Sequence, residues 1–201
     1  MAVRRDDGKI LWQRTVREEL PHEGALHRKP CVPLAGDRRR TCVRVLRLLR
    51  SLLLDLDGKL LWETDLGRMH PLHGHGEGSS PALYRKTLII NWDHEGESFV
   101  VAFDKRTGKQ RWKVHRDRGT SWTTPIVVEH SAERDKPQVI ISGSERLRAY
   151  DLATGEVVWE CGGLSAENVV SSPVAGHGLV FAGSTYDRQG ERNLYCIAEE
   201  Q

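Results

Sequence analysis

Residues 149–159, AYDLATGEVVW, read as a β-hairpin corner: an alternating strand, Asp151, a turn at Ala153-Thr154-Gly155, and an apolar return ending in Trp159. The full pattern recurs at residues 102–112 (AFDKRTGKQRW), and in part at 52–62 (LLLDLDGKLLW) and 2–12 (AVRRDDGKILW). Gly8, Gly58, Gly108 and Gly155 each stand four residues before Trp12, Trp62, Trp112 and Trp159, at steps of 50, 50 and 47 residues. A fixed period of this length suits one β-propeller blade per repeat. A second motif runs in antiphase, Ser79-Ser80-Pro81, Thr123-Thr124-Pro125 and Ser171-Ser172-Pro173, each leading into an apolar run such as LIINWD, VIISGS or LVFAGS. A blade therefore opens at Ser/Thr-Pro and closes at the tryptophan.

Within a repeat, Asp151, like Asp104 one blade earlier, is placed to accept N–H bonds from the turn, and Gly155 to take a positive φ. Tryptophan is too large and apolar to stay exposed on a narrow blade, so its ring is expected to cover the adjacent blade. Ala2, Ala102 and Ala149, at the first motif position, keep that contact close. Together these residues form a docking device that needs no ligand.

The pattern Ala-x-Asp-x-x-Thr-Gly-x-x-x-Trp resembles the tryptophan-docking motif of pyrroloquinoline-quinone (PQQ)-like propeller repeats. Two complete and two partial copies cover most of the chain. The resemblance implies an all-β propeller of seven or eight four-stranded antiparallel blades around a channel. That family includes PQQ-dependent alcohol dehydrogenases and the propeller lipoprotein of the outer-membrane β-barrel assembly machine. Two copies depart from the pattern: Arg4 stands where the motif has Asp, and Leu52 and Leu54 stand where it has Ala and Asp. Blades fall at residues 30–62, 79–112, 121–159 and, incomplete, 167–201, after a blade end at 1–16. About four blades, half of such a ring, are expected, which reads as a fragment of a longer propeller.

Residues 25–54 change character, with eight Lys/Arg against one acid, Asp37, and no aromatic residue. The run RVLRLLRSLLL suits a basic amphipathic helix. The same nucleotides read one base later can instead encode an alternating strand running into Asp55 and a Ser-Pro opening. The segment is therefore either a compensated frameshift or a genuine helix insertion. The net charge of +2 depends on it, since the rest of the chain carries 22 bases against 27 acids, a net of −5. A nucleic-acid partner is not expected.

The 201 residues allow one sizeable core, and 19 glycines with 8 prolines punctuate short apolar runs as an all-β chain requires. No run is long and apolar enough to span a bilayer. Met1 runs almost directly into a repeat, so no signal peptide is read; the protein is either cytosolic or lacks its native start. Cys31, Cys42, Cys161 and Cys196 form no CxxC and no adjacent pair, which indicates neither a zinc knuckle nor a redox motif.

Residues 70–78, HPLHGHGEG, gather His70, His73, His75 and Glu77, ligand types for a transition metal. Their spacing matches no helical or finger arrangement, and a polar junction loop is the simpler reading. His94, Glu95, Arg118, Trp122, Glu167 and Asn168 occupy comparable junction positions and are expected to line a channel mouth that meets a protein, peptide or polysaccharide. No catalytic residue is assigned. The leading expectation is a non-catalytic binding or scaffold module without a cofactor, its cell-envelope or periplasmic location implied by the resemblance, its other partners the remaining blades of a parent propeller. The alternatives are part of a PQQ- and calcium-dependent oxidoreductase and a metal-binding module through the loop from His70 to Glu77.

Overall fold

The computed structural model describes residues 2–4, 6–13, 32–33, 41–46, 50–55, 59–75, 78–117, 119–129, 136–164, 169–183 and 194–198. Among them β1 (Ala2–Val3) and β2 (Ile10–Trp12) form a two-stranded pair. The first four-stranded blade contains β3 (Val32–Pro33), β4 (Thr41–Leu46), β5 (Arg50–Asp55) and β6 (Leu60–Asp65). The second contains β7 (Ala82–Tyr84), β8 (Thr87–Trp92), β9 (Phe99–Asp104) and β10 (Gln110–His115). The third contains β11 (Ile126–Val128), β12 (Gln138–Ser142), β13 (Arg146–Asp151) and β14 (Val157–Gly162), and β15 (Val174–Gly176), β16 (Leu179–Gly183) and β17 (Leu194–Ala198) make a three-stranded sheet. Every sheet is an antiparallel meander, so the all-β expectation of four-stranded blades in a partial propeller holds.

The middle strands explain the apolar runs. Alternation along β8 and β9 sends Leu88, Ile90, Trp92, Phe99, Val101 and Phe103 to one face, where Trp62 packs, and Ile89, Val100 and Ala102 to the other, against Val139, Ile141 and Tyr150. The opposite face of the third blade packs Ile140, Leu147 and Ala149 on Val180 and Ala182. Both faces of an inner strand are thus buried, and each apolar residue of the run has a core to enter.

The docking residues work between blades. Trp62 donates its indole N–H to the Lys105 carbonyl at 2.8 Å, and Trp112 donates to the Leu152 carbonyl at 2.9 Å. In each case the ring lies on the corner glycine of the following blade: a Cβ at Gly108 would come within 2.7 Å of Trp62, and one at Gly155 within 2.7 Å of Trp112. Those corners also need φ of +69° and +80°, so glycine meets two constraints at once. Asp104 supports its corner by accepting from the Arg106 and Thr107 amides at 2.9 and 3.1 Å. A bond from Arg111, with those from the turn, holds its carboxyl at about 2. Trp159 instead bonds Gln138 Oε1 of its own blade at 2.9 Å. Trp12 is half-buried, and Gly58, its counterpart by the repeat, lies outside the described residues.

Two features were not read from the sequence. Each hairpin carries a β-bulge just before the tryptophan: Ala102 pairs with Trp112 but Phe103 with Gln110, and the same slip recurs at Ala2, Leu53 and Ala149. The extra residue re-aims the indole, and at Leu11, Leu61 and Val158 it is left exposed. The Ser/Thr-Pro motifs also link blades, because the Ser80 amide donates to Thr124 Oγ1 at 3.1 Å and the Thr124 amide to Ser172 Oγ at 2.8 Å.

Two expectations are corrected. The helix alternative for RVLRLLRSLLL does not hold, since β4 and β5 pair from Thr41↔Asp55 to Leu46↔Arg50. Strands in this position satisfy ladders with both β3 and β6, whose facing edges a helix would leave unpaired. The departure assigned to Leu52 and Leu54 is a matter of register. Leu53 is the residue opposite Trp62 and Asp55 follows two residues on, so the paired positions stand nine residues apart where the other copies have ten. Arg4 keeps the corner through its backbone, which accepts from Gly8 N at 3.0 Å as Asp104 does from Gly108 at 2.9 Å.

Trp112→Ala is expected to cost about 3–5 kcal/mol of unfolding free energy. Trp159→Ala, which removes a ring bonded within its own blade, should cost clearly less. Urea unfolding of the full chain checks the contrast, and equal losses would contradict a blade-to-blade role for Trp112.

Candidate functional site

The second and third blades meet along a buried polar seam. On β8, Asn91 falls on the Ile89 side, facing the third blade, where an apolar residue would continue the core. Its amide donates to Ser121 Oγ at 3.0 Å and to the Thr123 carbonyl at 3.4 Å. Ser121 donates in turn to Asp93 Oδ2 at 2.6 Å. Arg116, just beyond β10, grips Asp93 through Nε and Nη2 at 2.8 and 3.1 Å and reaches Tyr150 Oη on β13 through Nη1 at 2.6 Å. The two charged side chains are 4% and 2% exposed. Burial by itself lowers the Arg116 pKa, but Asp93 and Tyr150 more than offset it and the net shift is upward. A chain of five side chains thus crosses the blade interface with its charges answered internally.

Above the seam three loop segments are tied at His94, which is 4% exposed. His94 Nδ1 accepts from the Gly96 amide at 2.8 Å and from the His70 amide at 3.4 Å. A Cβ at residue 96 would stand 2.5 Å from His94 Cε1, so glycine is what admits the ring. The Glu95 amide returns a bond to the His70 carbonyl at 3.0 Å, and Glu95 Oε1 accepts from the Thr120 amide and hydroxyl at 3.0 and 2.7 Å. Thr120 Oγ1 also accepts from the Leu72 amide at 2.8 Å. Trp122, half-buried, lies so close to Gly78 that a Cβ there would fall 2.1 Å from its Cδ1. Desolvation, and next the neighbouring His70, lower the pKa of His94 against Asp93 and Glu95.

Of the junction residues expected from sequence, Glu95 is tied to Thr120 and Trp122 lies instead against Gly78 and His75, while His94 is a buried acceptor rather than a solvated ligand. Arg118, Glu167, Asn168 and Glu77 lie outside the described residues. His73 and His75 are exposed with ring centroids 5.7 Å apart, and the His75 ring lies 6.2 Å from Trp122. His70 faces His94 instead, at 6.2 Å. Among the described residues no three His, Cys, Asp or Glu side chains form a metal site. The calcium of a quinone cofactor takes six to eight oxygens, and Asp93, the buried carboxylate of the seam, has both of its oxygens bound by Arg116 and Ser121. Asp93 therefore has no oxygen free to join such a set.

Sequence reasoning missed Asn91, Asp93, Arg116 and Ser121. A signal was available for two of them. Arg116 continues the alternation of Trp112 and Val114 that faces the next blade, and Asn91 interrupts an otherwise apolar run.

A family model described as outer membrane protein assembly factor BamB matches residues 1–200. The crystal structure of BamB from Moraxella catarrhalis superposes with a TM-score of 0.56 at 17% identity, over 81% of this chain and 51% of that one. The chain therefore spans about half the length of that structure. Weaker similarities are to a europium-containing methanol dehydrogenase (TM-score 0.43, 21% identity, 61% of this chain and 23% of that one). A quinohemoprotein alcohol dehydrogenase from Comamonas testosteroni gives a TM-score of 0.39 at 22% identity, over 60% and 21%. No curated protein sequence matches the chain.

Arg116→Met leaves the Asp93 carboxylate buried and unpaired, and is expected to cost about 3–5 kcal/mol, whereas pairing it with Asp93→Leu should recover part of the loss. Chemical denaturation of the single and double variants measures this. For His94, whose folded pKa lies below the ordinary 6.5, protonation favours the unfolded chain. Stability is therefore full above about pH 6.5 and falls as pH drops through the lowered value. His94→Asn, which keeps an acceptor but does not titrate, should flatten that limb in melting temperature measured from pH 7.5 to 5.

Proposed function

The chain belongs to the family of the outer membrane protein assembly factor BamB, and we propose that it is a non-catalytic propeller module of the cell envelope that holds a protein partner at the mouth where its second and third blades meet. One observation carries the reading: the groups able to do chemistry at this junction are committed to one another. Asp93 serves Arg116 and Ser121, and His94 Nδ1 serves two backbone amides. No described nucleophile stands there beside an unengaged base, so the seam serves rigidity. What it presents outward is a loop surface of exposed His70, His73, His75 and Glu95 beside the half-buried Trp122. Polar groups around an anchored aromatic ring are a common composition for protein recognition.

A photo-crosslinking amino acid placed at Glu95 or His73 in cells is expected to give a discrete adduct with an envelope protein. The same group at Lys109 or Glu156, on the corner turns, should not. Equal labelling at both sets would refute a mouth-directed partner. Titration of the full chain with PQQ and calcium provides the opposite test, because a stoichiometric quinone spectrum accompanied by alcohol oxidation would overturn the scaffold reading.

A further inference from the structure

Asn91 is 2% exposed, yet its Oδ1 receives no hydrogen bond among the described residues. Its orientation is set by its neighbours. The single Ser121 hydroxyl proton goes to Asp93, so Ser121 Oγ must accept from Asn91, and the Thr123 carbonyl accepts from the same amide. Flipping the amide would set Oδ1 against two acceptors. The carbonyl oxygen is thus left without a donor among the described residues, and Asn91 lines a small, partly open hollow with Asp93, Ser121, Thr120, Trp122, Met69 and Ile90. The hollow has room for about one water-sized group.

We propose that this hollow is a binding site for one neutral hydrogen-bond donor, the N–H tip of an amide or an O–H, inserted from the mouth. A donor is required because the buried group left unpaired is an acceptor, which otherwise bears its full desolvation cost. Neutrality follows from the charges. Asp93, the nearby carboxylate, is already answered by Arg116, so a cation entering here would find no countercharge, and an anion would meet the Asn91 carbonyl. The walls of Met69, Ile90 and Trp122 accept the apolar side of such a group. Solvent and an amide or hydroxyl on a partner share this chemistry, and the test separates them.

The probe is formamide, titrated into the full 15N-labelled chain, with N,N-dimethylformamide as a carbonyl of similar kind lacking a donor and ammonium as a charged donor. Formamide is expected to shift the Asn91 side-chain amide and the Trp122 indole resonances saturably, while the other two leave them in place. Equal shifts from dimethylformamide, or saturable binding of ammonium, would overturn the proposal. A water cross-relaxation signal at Asn91 with no saturable formamide shift would make the occupant solvent alone and overturn it as a ligand site. Asn91→Leu should abolish the formamide response; the comparison of probes on the native chain decides the matter even where that variant fails to fold. No partner enters the experiment, so its outcome is independent of the envelope reading.

Discussion

An indole laid on a bare glycine is the contact from which this architecture is built. A blade of four strands has two broad faces, and each must be covered by a neighbour whose own strands run to a different sheet. Trp62 on Gly108 and Trp112 on Gly155 fix that spacing, with the indole N–H bound to a corner carbonyl so that the ring is held in rotation as well as position. A side chain at either corner would lift the blades apart, and any other backbone conformation would open the turn. The bulge before each tryptophan belongs to the same device, because one extra residue turns the ring out of its own sheet and toward the next.

Once the outer rim is docked, the interior of the interface closes around polar groups that have no access to water. The Tyr150, Arg116, Asp93, Ser121 and Asn91 chain is satisfied from end to end except at one carbonyl. Such a network is worth little as a source of raw stability, but it penalises every arrangement of the two blades in which a member loses its partner. His94, Glu95 and Thr120 tie the segment from His70 to Leu72 to the loops that follow β8 and β10.

Most of the blade pattern could be seen in the sequence because it depends on local chemistry repeated at a fixed interval. The aspartate, the positive-φ glycine and the tryptophan each follow from the needs of one hairpin. The helix alternative for residues 44–54 failed because a local pattern of arginine and leucine cannot reveal that flanking strands await partners on both sides. The mismatch at Leu52 and Leu54 had a similar origin: counting back from Trp62 assumes a constant spacing between paired positions, and the ladder placed Leu53 there instead.

By itself, then, the sequence determined the repeat, the meander within each blade and the residues that dock one blade on the next, since all of these are written within a single period. Only the tertiary structure decided which groups meet across the interface. Asn91, Asp93, Arg116 and Tyr150 lie up to 59 residues apart, and nothing in their local sequence says that alternation on separate strands will bring them into one seam. Nor could it say that His94 would be buried as an acceptor while its loop neighbours stayed in water, because that outcome depends on Gly96 making room and on the His70 amide arriving from another blade's connection.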